Sequence, residues 1–256
     1  MLTNLHSVLR AYANGLLFGE NYGVGRPVVI WLHGWGRSSV DFRAAATILA
    51  DQGIPSLSFD LPGFGASPLP RDVGGAQAYA TTVVSALAEC GSGPFVLVGH
   101  SFGGRVAAAL AAEHPELVSA VVFTGVPLVR RTSRRRAPLG YRVVRWLGAK
   151  HLISAQRLEA AKKKYGSADY RAASGVLRDI LVTVVNESYE SELAVISAPV
   201  TMVWGADDRD VPVSVAERAA TLLQRRPETI IVENCGHLVP TSAPAALAAA
   251  VVARCA

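Results

Sequence analysis

Short apolar runs alternate along the chain with longer Ala-rich segments in which apolar residues recur at helical spacing. Because most of these runs are uninterrupted by polar residues, they predict strands that are covered on both faces. Helical segments lie between them, so the pattern predicts a mainly parallel α/β sheet. The predicted strands are Val28–Leu32, Ile54–Phe59, Phe95–Gly99, Ala120–Thr124, Val200–Trp204 and Thr229–Glu233.

The helical segments and one hairpin complete this alternating pattern. Near the N-terminus, Asn14-Gly15 separates the apolar stretches Leu5–Ala13 and Leu16–Gly23. An Asn-Gly pair in that setting is the strongest short signal for a β-hairpin. The predicted helices are Ser39–Gln52, Gly74–Cys90, Phe102–His114, Val213–Arg226 and Pro244–Ala256.

One long interval interrupts the alternation of strands and helices. From Leu128 to about Pro199 the sequence contains only charged helical patterns and no comparable strand. The chain has 256 residues, which suits one large domain with an insertion. We therefore expect a core formed by residues 1–127 and 191–256, with a helical cap, residues 128–190, inserted between them.

The positive charge of the chain is concentrated in the predicted cap. The formal net charge is +5, but residues 128–190 contain 14 Lys and Arg against 5 Asp and Glu, while the rest contains 11 against 15. Such a segment is either a solvated helical face or a surface that recognises an acidic substrate or partner. No basic strand with interleaved aromatics and no recognition-helix motif accompanies it, so nucleic-acid binding is not expected.

Composition also bounds the cofactors and the location of the protein. No run approaches the ~18 apolar residues that a membrane span needs. The three cysteines, Cys90, Cys235 and Cys255, form no CxxC pair, and free thiols suit a reducing cytosol. The first 15 residues lack the basic and apolar regions of a secretion signal. We expect a cytoplasmic protein without a metal or cofactor.

A glycine-rich turn after the predicted strand Phe95–Gly99 carries the first candidate for chemistry. It reads Gly99-His100-Ser101-Phe102-Gly103-Gly104, and a strong helical segment follows it. A G-x-S-x-G turn between a strand and a helix is typical of a nucleophile elbow. Its glycines leave room for a strained turn that exposes the serine hydroxyl near a helix N-terminus. Ser101 is therefore the candidate nucleophile.

A serine nucleophile requires a base and a carboxylate that orients the base. Of the six histidines, only His237 follows the last predicted strand, where a loop at the edge of the sheet can reach the elbow. The loop after Val200–Trp204 offers three carboxylates, Asp207, Asp208 and Asp210. Spacing alone does not choose among them.

At these loops the chain resembles the α/β-hydrolase family. The pattern W-G-x-x-D-x-x-x-P matches residues 204–212, and the resemblance selects Asp208 as the acid, with Asp207 as its nearest rival. Residues 33–36 (HGWG) resemble the family's oxyanion loop, and residues 60–67 (DLPGFGAS) match its next turn. The resemblance implies an α/β-hydrolase fold and an oxyanion hole formed by the backbone N–H groups of Trp35 and Phe102. His33 and His100 adjoin these loops and are candidates for substrate contact.

The motifs together resemble the carboxylesterase branch that contains the pimeloyl-carrier-protein methyl ester esterases. This resemblance implies hydrolysis of a carboxylic ester, or of a related acyl bond, through an acyl-enzyme, on a small acyl substrate that is anionic or linked to a carrier protein. The elbow departs from that branch, because His100 stands where its members have Trp. The sequence leaves the oligomeric state open.

Two other functions stay open at this point. The Gly-Gly-Arg sequence ending at Arg105 resembles the elbow of a menaquinone-pathway synthase, in which this arginine binds an acidic substrate. Arg105 is thus a further substrate-binding candidate, and the alternative function is a lyase or a C–C bond hydrolase acting on an acidic small molecule. The other possibility is a ligand-binding protein of the same fold without catalysis.

Overall fold

Eight strands form one sheet at the centre of the structure, a computed structural model that describes residues 9–130, 144, 146–147, 150, 152–165 and 167–255. Their order across the sheet is β1-β2-β4-β3-β5-β6-β7-β8. The strands are β1 (Leu9–Tyr12), β2 (Leu17–Tyr22), β3 (Val29–Leu32), β4 (Ser56–Asp60), β5 (Phe95–His100), β6 (Val118–Thr124), β7 (Val200–Gly205) and β8 (Glu228–Val232).

The sheet is antiparallel only at its N-terminal edge. Strand β1 pairs with β2, and β2 with β4, in antiparallel register, whereas all other neighbouring strands are parallel. Asn14 lies in the turn between β1 and β2 with a φ of 55°, a left-handed conformation that asparagine tolerates better than most residues. The predicted hairpin and the predicted mainly parallel α/β sheet are both confirmed.

Helices cover both faces of this sheet. The helices of the core are α1 (Arg43–Asp51), α2 (Ala76–Cys90), α3 (Phe102–Glu113), α8 (Val213–Ala220), α9 (Val239–Ser242) and α10 (Pro244–Cys255). Helix α8 ends six residues earlier than the sequence predicts. Both the backbone N–H and the hydroxyl of Thr221 donate hydrogen bonds to the Arg218 carbonyl. These bonds close a tight last turn, and the chain leaves the helical path there.

Two apolar cores result, one on each face of the sheet. Successive residues of β3 point to opposite faces, so Ile30 and Leu32 join one core and Val29 and Trp31 join the other. All four side chains are fully buried. Helices α2, α3 and α8 pack on the first face, and α1 and α10 on the second. This explains why the strands lack polar alternation.

In the described part of the interval between β6 and β7, where the sequence predicts a cap, four helices have bounds that the structure defines. They are α4 (Ala155–Tyr165), α5 (Ala168–Ala172), α6 (Gly175–Asn186) and α7 (Glu190–Val195). The backbone N–H of Tyr189 donates to the Leu128 carbonyl at 3.0 Å, which joins the two ends of this segment. Most arginines of the predicted basic surface lie outside the described residues: Arg131, Arg134, Arg135, Arg136, Arg142 and Arg145. The division into core and cap therefore stays a prediction.

Within the part of the chain described above, no helix is long and apolar enough to cross a membrane.

Candidate active site

Ser101 occupies the sharp turn between β5 and α3. Its φ of 49° and ψ of −111° lie outside the regions that L-residues ordinarily adopt. Backbone strain of this kind persists only where the surrounding structure enforces it, and it clusters at functional sites. The Ser101 N–H donates to the Thr124 carbonyl at the end of β6, at 3.0 Å. This bond holds the strained residue at the carboxyl edge of the sheet.

The glycines beside Ser101 are required by close backbone approach. A Cβ atom on Gly99 would lie 2.4 Å from the Gly104 Cα atom. A Cβ atom on Gly103 would lie 2.0 Å from the Leu32 carbonyl oxygen, at the end of β3. Neither position has room for a side chain. The G-x-S-x-G pattern therefore reflects the packing of the first turn of α3 against two strands.

His237 and Asp208 form a hydrogen-bonded pair. The His237 Nδ1 atom lies 2.8 Å from Asp208 Oδ2, and the Asp208 side chain is fully buried. The other carboxylate oxygen of Asp208 accepts the backbone N–H groups of Asp210 (3.0 Å) and Val211 (2.8 Å). Because an ionised carboxylate only accepts hydrogen bonds, Nδ1 carries the hydrogen and Nε2 of the neutral ring is left with its lone pair. The side chain of Asp207 is exposed instead.

The loop after β3 approaches Ser101 from the neighbouring strand. A Cβ atom on Gly34 would lie 3.4 Å from the Ser101 Cβ atom, which puts Trp35 beside the elbow. The Trp35 and Phe102 rings meet edge to face, with centroids 5.3 Å apart. Within the described part of the chain, neither the Trp35 nor the Phe102 backbone N–H reaches a hydrogen-bond acceptor. For Phe102 this is expected at the first position of a helix.

Aromatic side chains extend this contact into a cluster. The Phe64 ring lies 5.0 Å from that of Trp35, and the Tyr79 ring 4.9 Å from that of Phe102. Phe64 lies in the turn after β4. Asp60, at the end of β4, accepts the backbone N–H groups of Ser39 (2.7 Å) and Ala66 (2.8 Å), and these bonds hold the turn in place. The cluster makes the neighbourhood of Ser101 apolar on this side.

His33 lies beneath this loop and has both ring nitrogens engaged. Its Nδ1 atom donates to the Gly34 carbonyl (2.7 Å), and its Nε2 atom accepts the Leu61 backbone N–H (2.9 Å). The ring is fully buried, and burial lowers its pKa. These contacts join the loops after β3 and β4. They leave no ring nitrogen for a substrate, so the structure does not favour the predicted substrate contact.

His100 lies against the His237 ring. The two ring centroids are 4.9 Å apart, and His100 Nδ1 donates to the Thr124 carbonyl at 3.0 Å. Burial lowers the pKa of His100 to about 3, and the neighbouring His237 adds to this effect. His100 is therefore neutral at physiological pH, with its hydrogen on Nδ1. It supports the ring of His237 from one side.

The neutral, buried His100 makes the stability of the fold depend on pH. An unfolded histidine has a pKa near 6.5, so below that pH the unfolded chain binds a proton that the folded chain excludes. Between about pH 6.5 and 5 this removes roughly 2 kcal/mol from the free energy of unfolding. We expect His100→Gln to lose less stability than the wild type over this range. Urea denaturation at pH 7 and pH 5 measures it, and equal losses in both proteins would contradict the expectation.

Arg105 lies one turn along α3 from Ser101, but its contacts are with the C-terminal end of α6 and the segment that follows it. Its guanidinium donates a hydrogen bond to the Val184 carbonyl and lies over the Tyr189 ring, 5.6 Å from the centroid. The side chain is buried there. The structure therefore brings Ser101, His237, Asp208, Trp35, Phe102 and His100 together, and engages Arg105 elsewhere.

Gly125 is a site residue that the sequence analysis missed. A Cβ atom on Gly125 would lie 2.9 Å from both Cε1 and Nδ1 of His237 and 3.3 Å from His100. Its φ of +58° also favours glycine. The available signal was its position directly after the predicted strand Ala120–Thr124.

Among the described residues, no group of three or more His, Cys, Asp or Glu side chains could hold a metal ion.

The sequence profile of one protein family matches most of the chain, residues 29–250, and it is the profile of the alpha/beta hydrolase family. The chain belongs to that family. Strands β3 to β8 of its sheet and the turn at Ser101 therefore lie within the region that matches the family.

Individual proteins are similar to this chain over most of its length or over part of it. The lipase LipV of Mycobacterium tuberculosis is 29% identical, over 92% of this chain and 96% of the lipase. A pimeloyl-[acyl-carrier protein] methyl ester esterase of Chromobacterium violaceum is 42% identical, but only over 44% of this chain and 43% of the esterase. The crystal structure of a membrane phospholipase A superposes with a TM-score of 0.74 at 26% identity, and covers 97% of this chain and 85% of the phospholipase. Lipases and esterases are hydrolases, so this chain is similar to enzymes that hydrolyse esters.

Proposed function

We propose that this α/β hydrolase cleaves carboxylic esters through a Ser101-His237-Asp208 triad and an acyl-enzyme intermediate. The observation that carries the proposal is the hydrogen bond between His237 Nδ1 and the buried Asp208 carboxylate, together with the packing of the His237 ring on His100, the residue before the strained Ser101. That bond fixes the tautomer in which Nε2 can accept a proton. A serine needs such a base to become a nucleophile.

In the first half of the reaction, Ser101 Oγ attacks the ester carbonyl carbon while His237 Nε2 accepts the serine proton. The carbonyl oxygen becomes an oxyanion, and the backbone N–H groups of Trp35 and Phe102 donate to it. Such donors are already oriented before the charge develops, and losing one typically costs about 10²–10³ in rate. The tetrahedral intermediate then collapses, and the leaving alkoxide takes the proton from His237. An ester between the acyl group and Ser101 remains.

In the second half, water replaces the alcohol. His237 Nε2 takes a proton from the water as its oxygen attacks the acyl-enzyme carbonyl, and the same two N–H groups stabilise the second oxyanion. Collapse breaks the bond to Ser101 Oγ, which recovers its proton from His237. The products are the carboxylic acid and the free enzyme, so no cofactor enters the balance.

The aromatic cluster beside Ser101 favours an acyl group with a hydrocarbon portion. Trp35, Phe64 and Phe102 pack against one another beside Ser101, and the partly exposed Trp35 ring offers an apolar surface to methylene groups. The similarity to a carrier-protein methyl ester esterase makes a carrier-linked acyl chain a further proposal for the substrate. The lyase in the alternative function rested on Arg105 meeting an acidic substrate. Because its contacts are with Val184 and Tyr189, we keep that alternative only as an outcome of the test.

Labelling with a fluorophosphonate tests the proposed nucleophile. We expect the wild type to gain the mass of the probe on the peptide that contains Ser101, because His237 activates the hydroxyl toward phosphorus. The matched variant Ser101→Ala should gain none, and circular dichroism should show that it remains folded. A folded wild type that is not labelled, or that is labelled on another serine, would contradict the proposal. Labelling without turnover of any p-nitrophenyl ester would favour the lyase or C–C hydrolase.

A further inference from the structure

Two arginines from different parts of the chain bind the C-terminal end of helix α6. Arg105, on α3, donates to the Val184 carbonyl, and Arg130 donates to the Asn186 carbonyl at 2.6 Å. The last carbonyls of a helix lack partners within the helix, and cations are favourable there because of the helix dipole. Arg105 is buried, whereas Arg130 is exposed. The same helix end thus has one buried and one exposed cation.

The surroundings of Arg105 fix its geometry. Its guanidinium lies over the Tyr189 ring, and the Tyr189 hydroxyl donates to the Glu187 carboxylate. Glu187 in turn accepts the backbone N–H of Ala76, at 3.2 Å, where α2 begins. Burial lowers the pKa of Arg105, while Tyr189 and Glu187 favour its charged form. Apart from its bond to the end of α6, the Arg105 charge is therefore stabilised by the Tyr189 ring and by the Glu187 carboxylate, which also binds the start of α2.

Burying a charged arginine is costly, and a well-packed apolar side chain is often no less stable at such a site. Stability alone therefore does not account for Arg105. Its Nε atom is buried and has no partner among the described residues, which adds to the cost. The contacts that it does make are directional, and they fix where α6 ends relative to the helix that begins after Ser101.

The other end of α6 reaches the neighbourhood of Ser101. A Cβ atom on Gly63 would lie 2.6 Å from Leu177 Cδ2, so the first turn of α6 packs directly on the turn that contains Gly63. The next residue in that turn is Phe64, whose ring contacts Trp35. Helix α6 therefore joins the Arg105 contact at one end to the aromatic cluster at the other.

We propose that Arg105 is a positioning residue, which holds α6 in place and thereby sets the shape of the acyl-binding side of the Ser101 site. The inference rests on the proposed function, because it assigns the aromatic cluster to the acyl group. Arg105 acts through Val184 and Tyr189 and does not touch the substrate. Long acyl chains, which extend over Phe64 toward Leu177, depend on it, whereas an acetyl group does not extend that far.

The test compares Arg105→Met with the matched control Arg130→Met in hydrolysis of p-nitrophenyl esters. Methionine keeps much of the apolar volume and removes the charge. For the longest ester that the wild type hydrolyses, we expect Arg105→Met to lower kcat/KM about tenfold, mainly through a higher KM. For the acetate ester the change should stay within about twofold. Arg130→Met should leave both esters unchanged, because exposed charge interactions contribute little. Arg105→Lys should recover part of the loss.

A purely structural role would give a different result. It would lower the melting temperature and affect all esters equally, and that outcome would overturn the proposal, as would an unchanged KM for the long ester. Should Arg105→Met fail to fold, Arg105→Lys against Arg130→Lys replaces it, with about a threefold change expected in the same direction.

Hydrogen exchange separates this proposal from the proposed function. We expect amide exchange in residues 175–186 to accelerate about tenfold in Arg105→Met, since the helix end loses a charge-assisted bond. Exchange in the α2 and β5 segments should be unchanged. A wild type that hydrolyses no ester would contradict the proposed function, and with it the assignment of the acyl side, even if exchange in α6 changes. An active wild type with unchanged exchange in the variant would contradict only the role of Arg105.

Discussion

Replacing Asp208 by asparagine is expected to lower kcat for ester hydrolysis by about four orders of magnitude, as in other serine hydrolases with this arrangement. The reason lies in the hydrogen bonds at the carboxylate. One oxygen accepts two backbone N–H groups, from Asp210 and Val211, so the amide oxygen of an asparagine would take that position. The amide NH₂ would then face His237 Nδ1 in place of Oδ2. His237 would have to accept there and carry its hydrogen on Nε2, and it could no longer take the proton of Ser101.

Asp207→Asn provides the matched control for this substitution. The two aspartates are adjacent in the chain, but the Asp207 side chain is exposed, and its backbone N–H donates to the Cys235 carbonyl at 2.9 Å. We expect kcat of Asp207→Asn to stay within about twofold of the wild type, because surface substitutions rarely have large effects. Steady-state kinetics with one p-nitrophenyl ester measures both variants, and circular dichroism checks their folding. Equal losses in the two variants, or a loss below tenfold for Asp208→Asn, would assign the orienting carboxylate to another residue.

The inner parallel strands were predictable because they are buried on both faces. An apolar run such as Val29–Leu32 contains no polar residue that would obscure the strand pattern. The strand is predicted to begin at Val28 and begins at Val29. The end of α8 was not predictable to this precision. Residues 221–226 could continue the helix by their composition, and the chain departs from it only because Thr221 bonds to the Arg218 carbonyl. Competition of this kind between local hydrogen bonds is decided by geometry rather than by periodicity.

The candidate nucleophile and base could be read from the sequence because both lie at strand ends, where the fold brings loops together. The acid could not be selected from spacing alone. The choice between Asp207 and Asp208 followed from the family resemblance, and the geometry agrees with it because Asp208 is hydrogen-bonded to His237 whereas the Asp207 side chain is exposed. The position of Arg105 was beyond either kind of reasoning. Its partner Val184 lies 79 residues away, and no local pattern encodes a contact between α3 and the end of α6.

Gly125→Ala is expected to lower kcat about a hundredfold, since small displacements of a catalytic group have effects of that size. The added Cβ atom would lie 2.9 Å from Cε1 and Nδ1 of His237, closer than real Cβ atoms approach other heavy atoms. The three atoms nearest to the new Cβ atom belong to the His237 and His100 rings, so we expect the His237 ring to move. That movement weakens the Nδ1 bond to Asp208 and turns Nε2 away from Ser101.

Gly53→Ala is the control that separates the steric effect of the added Cβ atom from the conformational cost of alanine at a positive φ. Gly53 has a φ of +76° and Gly125 a φ of +58°, so alanine is strained at both positions, by roughly 1 kcal/mol. A Cβ atom on Gly53, however, would meet no other atom within 4 Å. We expect both variants to lose a similar amount of thermal stability, and only Gly125→Ala to lose activity. Melting temperature and kcat are measured in parallel for both variants. If Gly125→Ala kept kcat within threefold of Gly53→Ala, the close approach of Gly125 would not be what positions His237.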